Sequence, residues 1–234
     1  INSFRHLLLP ITVLVSPIIL VATQPDLGTS ILIASGGIIV AWLAGVRAKF
    51  FVISGLIMIA LLPIAISFLK PYQKSRILTF LNPERDPLGA GYQIIQSKIA
   101  IGSGGLFGKG FLNGSQSYLD YLPEKHTDFI FTLFSEEFGF FGSLSILLLY
   151  ALIISRIIKI GNLTRSNFGK LYCYSFATAF FLYVVVNMMM VLGLLPIVGS
   201  PLPIMSYGGS SMMAIMLGLG IVMSCKIHKD VPVN

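Results

Sequence analysis

The sequence predicts an all-α polytopic membrane protein with about six transmembrane helices and one long extracytoplasmic segment. Three observations carry that prediction. Hydrophobic residues fill 55% of the 234 positions and charged residues only 11%, less than half the roughly 25% charged share of an ordinary soluble domain. The mean hydropathy is +0.87. The apolar residues also come in runs, and several reach the length of about 20 residues that a helix needs to cross a bilayer.

The spans fall at roughly 7–23, 28–46, 50–69, 128–155, 170–195 and 203–225. Arg5 and His6 give the first run the basic start of a signal peptide. Five further runs follow it, so it reads as a genuine span, and a chain opening on Ile1 rather than Met reads as a fragment or a truncated form. Charge then sets the orientation. Arg5, Arg47, Lys49, Arg156, Lys159, Arg165, Lys170, Lys226 and Lys229 lie in alternate connections, against one acid, Asp230. The positive-inside rule makes those connections, and both termini, cytoplasmic. Topology therefore explains most of the net charge of +7, and no nucleic-acid partner is expected. Cys173 and Cys225 sit in apolar runs and imply neither a disulfide framework nor a metal site.

The opposite side holds a turn at Gln24-Pro25-Asp26, a segment from about 70 to 127, and the Pro/Gly-rich turn Leu194–Pro203. Within the long segment, Leu88–Ile101 sets Ile94, Ile95, Ile99 and Ala100 against Gln93, Gln96 and Lys98, a weak amphipathic pattern suited to lying in the interface. Gly102–Gly110 then reads as a flexible turn, since it lacks the strand and helix context of a phosphate loop.

Ionisable groups within or at the edge of a span are functional candidates. Asp128 opens the fourth span, and Thr132, Ser135 and Glu136 follow at helical spacing to form a polar stripe beneath it. Capping a helix N-terminus is the competing reading for Asp128, and the two are evenly matched. Glu136, on the same face, could line a cavity; Glu137 points away and is expected to pair with a basic residue. Asp26 is the only charge between Arg5 and Arg47, which favours a pocket or ion-pair role over turn chemistry alone. Asn187 interrupts the fifth span, where an interhelical hydrogen bond is its expected job. Ser206-Tyr207-Gly208-Gly209-Ser210-Ser211 opens the last span with small residues suited to close packing and with helix-start N–H groups that favour anions.

The stretches QPDLGTS (24–30), NPERDPLGAGYQIIQS (82–97), YLPEKHTDFIF (121–131), EEFG (136–139) and Asn187–Ser211, ending PLPIMSYGGSS, resemble the SEDS family of shape, elongation, division and sporulation proteins. Ile94–Gly110 is most similar to its elongation branch. The resemblance covers essentially the whole chain, with the motifs in the family's order. It implies a peptidoglycan glycosyltransferase of the bacterial cytoplasmic membrane that polymerises lipid II and works with a class B penicillin-binding protein and the elongation machinery. Family members have about ten helices, and this chain matches the last six.

The resemblance also assigns roles. Asp128, in the HTD motif, corresponds to the family's catalytic Asp and would take the proton from the acceptor sugar's 4-hydroxyl. That oxygen would attack the anomeric carbon of a lipid-pyrophosphate-linked donor and invert it to a β-1,4 linkage. Asp26, Arg76, Arg85, Lys98, Lys109, His126, Glu136, Ser206, Tyr207, Gly208 and Gly209 are the expected substrate-binding residues, and Asp120 a regulatory position. No dedicated metal cage is visible; a divalent cation, Mg or Mn, is an alternative to Arg and Lys for neutralising the leaving pyrophosphate. A lipid-linked precursor flippase and a non-catalytic scaffold for the penicillin-binding protein are the rival readings.

Overall fold

A computed structural model describes residues 4–24, 26–67, 71–86, 89–115 and 126–230. Among these, eight α-helices follow one another: α1 (Phe4–Thr23), α2 (Leu27–Leu43), α3 (Ala48–Ser67), α4 (Pro71–Leu81), α5 (Ala90–Gly104), α6 (Ile130–Leu163), α7 (Asn167–Val191) and α8 (Gly209–Ile227), with one 3-10 turn at Pro83–Arg85. The chain is an all-helical membrane protein. Helices α6, α7 and α8 are each long and apolar enough to cross a bilayer, and α1 to α3 carry the shorter apolar helices Leu9–Thr23, Gly28–Leu43 and Ala48–Leu61.

The most apolar window of α6 is only 11% buried within the protein, whereas that of α7 is 39% buried. The described residues therefore cover little of the most apolar part of α6, and α7 is the central post. It packs against α2, α5, α6 and α8, while α5 also packs along α6. The core at the α6 N-terminal end of the bundle gathers Phe129, Phe131, Phe180, Val184, Met190 and Leu202. Tyr150 joins it and donates its buried hydroxyl to the Pro203 carbonyl at 2.6 Å, which satisfies a polar group where no water reaches.

Helix α5 buries a narrower face than the amphipathic pattern marks. Its buried face is Gly91, Ile94, Ser97, Ala100 and Gly104, a stripe at three-residue spacing whose small members let α5 lie close against α6. Ile99 remains 50% exposed. Asp86 starts the helix, accepting from the Ala90 N–H at 2.9 Å. Ser97 is completely buried; its hydroxyl donates to the Val191 carbonyl and lies 2.7 Å from the Thr132 hydroxyl. One serine thus ties α5 to both α6 and α7.

Helix α6 is broken. Gly139 has φ 65° and ψ −159°, a conformation accessible to glycine alone among the common residues. Such a break frees backbone groups that a bilayer cannot solvate. The glycine-rich run supplies them with partners. Lys109 N and Gly110 N donate to the carbonyls of Glu136 and Glu137 at 3.0 and 2.9 Å, while Phe140 N and Phe141 N donate to Gly105 O and Leu106 O at 2.9 and 3.2 Å. Residues 105–110 are therefore an insert in the helix, not the free turn the sequence suggests.

Candidate functional site

The HTD motif forms a turn just before α6, and all three of its carbonyls are held. Tyr207 N donates to His126 O at 2.9 Å. The Ser206 hydroxyl donates to Thr127 O at 2.6 Å and itself accepts from Leu202 N at 2.7 Å. Asn187 donates through Nδ2 to Asp128 O at 2.8 Å and to Ser200 O at 2.7 Å. Because Asn187 and Ser206 are buried, these bonds are shielded from competing water. The N-cap of α6 is Phe129, so Asp128 stands one position before it. The carboxylate faces the loop after α7: a Cβ placed on Gly199, whose φ is +75°, would lie 3.6 Å from Asp128 Oδ2.

That loop separates two cavities. One, of 330 Å³, is walled by Phe176, Phe180, Tyr183, Leu202 and Ile215 with Thr29 at its edge, an apolar recess between α2, α7 and α8. The other, of 610 Å³, is lined by His126, Ser206, Tyr207, Gly208 and Gly209 among apolar neighbours. The structure thus brings five expected substrate-binding residues together beside the HTD turn. Two of them contribute through scaffolding: Ser206 and the Tyr207 backbone hold the turn, while the Tyr207 side chain is 81% exposed.

The remaining expected residues divide. Arg76 reaches the same loop, donating to Ile197 O at 3.4 Å, and Lys98 lies against Gly193. Arg85 is exposed in the 3-10 turn. Asp26 caps α2, accepting from Thr29 N at 3.0 Å, and lies within electrostatic reach of Tyr183 in the wall of the apolar recess. Lys109 and Glu136 are committed to each other at 2.6 Å. Glu136 is fully buried, and its Oε1 also accepts from Ser115 N and Ser115 Oγ at 3.0 and 2.9 Å. The ion pair expected for Glu137 belongs instead to Glu136, because the inserted loop carries Lys109 over that face of α6. Asp120 lies outside the described residues. Among those described, no three His, Cys, Asp or Glu side chains gather as a metal site.

Sequence reasoning under-read two elements. Asn187 was legible as a polar residue in an apolar run, but its partners are backbone carbonyls of the site rather than a neighbouring helix. Gly139 is hidden inside EEFG, where nothing local marks a break.

Fold and site together define a polytopic helical membrane protein that presents a carboxylate on a clamped turn, against the loop after α7. The family profile FTSW_RODA_SPOVE, described as "Cell cycle protein", matches residues 2–231, and the chain belongs to this family, the SEDS family that its motifs resemble. It is 48% identical over 228 residues to the peptidoglycan glycosyltransferase MrdB of Escherichia coli (strain K12), covering 97% of this chain and 62% of MrdB. A chain from a peptidoglycan synthase complex that coordinates polymerization and crosslinking superposes with a TM-score of 0.79 at 31% identity, covering 98% of this chain and 63% of that one. The rod shape determining protein RodA of Thermus thermophilus superposes with a TM-score of 0.64 at 26% identity, covering 99% and 59%. The chain spans less than two thirds of the length of each.

Proposed function

We propose that this protein is an inverting peptidoglycan glycosyltransferase of the elongation type, with lipid II as substrate and Asp128 as general base. The observation that carries the reading is the three-carbonyl clamp, which fixes the backbone of Asp128 beside the 610 Å³ cavity. Orientation of a reacting group is among the larger contributions a protein makes to rate. Asp128 Oδ takes the proton of the acceptor sugar's 4-hydroxyl; the oxygen forms a bond to the donor's anomeric carbon as the bond to pyrophosphate breaks. His126, Tyr207, Gly208 and Gly209 border the space for the polar part of the substrate. The N–H groups at the start of α8 and the cation of Arg76 supply positive potential for the departing pyrophosphate. The apolar recess is of the right character for a polyprenyl chain.

In this reading the HTD turn faces outward and both termini lie in the cytoplasm, as the basic loops require. Similarity to MrdB and to a chain of a peptidoglycan synthase complex supports a class B penicillin-binding protein and the elongation machinery as partners. A flippase would concentrate its essential charges near the bilayer midplane; Asp128 stands before the first turn of α6, which favours polymerisation.

The test is Asp128→Asn in the full-length protein, assayed with labelled lipid II for glycan ladders. A positioned base contributes about 10²–10⁴-fold, so polymerisation should fall by that range with thermal stability retained. Stable variant protein that still makes ladders within a few-fold of the parent rate removes Asp128 from the chemistry.

A further inference from the structure

At the opposite end of the bundle from the HTD turn, the last turns of α6 and the end of α8 enclose a second kind of site. Arg156, Lys159, Ile160 and Leu163 from α6, Lys226 from α8 and Lys229 from the turn after it line a cavity of 210 Å³. The α6 residues fall at i, i+3, i+4 and i+7, one helical face. The end of α8 is tied down, since Lys229 O accepts from Arg165 N at 3.0 Å in the α6–α7 connection. No carboxylate lines the cavity, and none of the four cations forms an ion pair with a carboxylate among the described residues.

The positive-inside rule explains why cations lie on this side of the bilayer. It does not explain why four converge on one cavity, where like charges repel. An anion there would relieve that repulsion. The cavity also adjoins an apolar one of 380 Å³, which lies along the α6–α8 seam between Leu152, Ile153, Leu219, Val222 and Met223 and shares Arg156 and Ile160 with it. A free anion has no use for such a seam, whereas acyl chains do. We propose that the α6–α8 seam is a binding site for an anionic phospholipid, its phosphate among Arg156, Lys159, Lys226 and Lys229 and an acyl chain against Leu152, Leu219 and Met223. Basic pockets between membrane helices recognise such headgroups by the same physics.

The test titrates delipidated full-length protein in detergent with cardiolipin, and in parallel with phosphatidylcholine, reading bound lipid by native mass spectrometry. Cardiolipin should bind in preference. The pair Arg156→Gln and Lys226→Gln should weaken it about 25-fold, at about fivefold per cation. Met223→Trp fills the seam from a half-exposed position without altering charge, and should also weaken cardiolipin several-fold. Equal retention of phosphatidylcholine overturns the proposal, as does displacement of cardiolipin by dilute inorganic phosphate, which marks a free-anion site. Unchanged binding in Met223→Trp overturns it too, because the basic surface alone would then account for retention.

Discussion

Asn187→Leu isolates the clamp on the HTD turn. Leucine keeps the branched shape of Asn187 in a larger volume but removes Nδ2, so the part-buried carbonyl of Asp128 and the buried one of Ser200 lose this donor. A stranded buried polar group costs about 1–3 kcal/mol and a part-buried one less, so the two cost about 2–4. The same substitution deletes Asn187 Oδ1, which is buried without a partner among the described residues, and that returns about 1–3 kcal/mol. Overpacking by the larger side chain adds about 1–3 kcal/mol, so the net loss is about 2–4 kcal/mol, enough to lower the thermal midpoint without unfolding a bundle held elsewhere by its core. The effect on rate should be larger than stability alone would give. With its carbonyl unanchored the turn is free to shift, and a misplacement of about 1 Å can cost about 10²-fold. Lipid II polymerisation by the full-length variant, measured beside its melting curve, checks this. Val184→Ala is the control: it deletes buried methyls from the same helix for a comparable stability loss without touching residues 126–128, and should keep its rate. A destabilised Asn187→Leu protein that polymerises as well as Val184→Ala would refute the positioning role.

Three further outcomes follow from the same geometry. Gly139→Ala should destabilise the protein by about 1–3 kcal/mol from backbone strain alone, and by more because its Cβ would lie 2.3 Å from Gly108 N; a melting point within a degree of the parent would show that the break relaxes into plain helix. Lys109→Met should cost about 1–3 kcal/mol by removing the cation that donates to buried Glu136 at 2.6 Å, and adding Glu136→Gln should recover part of that, so additive losses in the double variant would deny the pairing. In a background lacking Cys173 and Cys225, a cysteine at Leu112 should react with an impermeant thiol reagent from outside the cell and one at Leu163 only after lysis; labelling of both from one side would overturn the orientation.

What the sequence made legible follows from local physics. Bilayer thickness demands long apolar runs, so the helices could be found by length. The bilayer also makes a charge conspicuous, so Asp128 stood out at the start of α6. Pairings across long stretches of chain were not legible. Gly105–Gly110 looks like a flexible linker until the break at Gly139 is known, and Gly139 looks helical until the loop is known to fill it. Lys109 and Glu136 suffer the same ambiguity, each reading as a free charge available to substrate. Ser206 could be assigned to the site region but not to the Thr127 carbonyl it holds, because a hydroxyl names no partner in advance.

The break and the clamp bear on one another. Between Asp128 and Gly139 lie barely three turns of helix, about 15 Å at 1.5 Å per residue. Their N-terminal end is fixed by Tyr207, Ser206 and Asn187, their middle by the Ser97–Thr132 contact, and their far end by the four hydrogen bonds of the inserted loop. A continuous α6 would transmit any bending of its second, less buried half directly to Asp128. A break at Gly139 uncouples that half, and the inserted loop replaces the lost helical bonds so that the short segment does not fray in a medium without water. The carboxylate is thereby carried by a rigid element anchored to α5, α7 and the loop after α7, rather than by the flexible end of a 34-residue helix. Sites held this way keep their geometry to a fraction of an ångström. For the proton transfer proposed for Asp128, which requires a heavy-atom approach of about 2.6–3.2 Å, that rigidity is the reason a membrane helix would be broken within its own span.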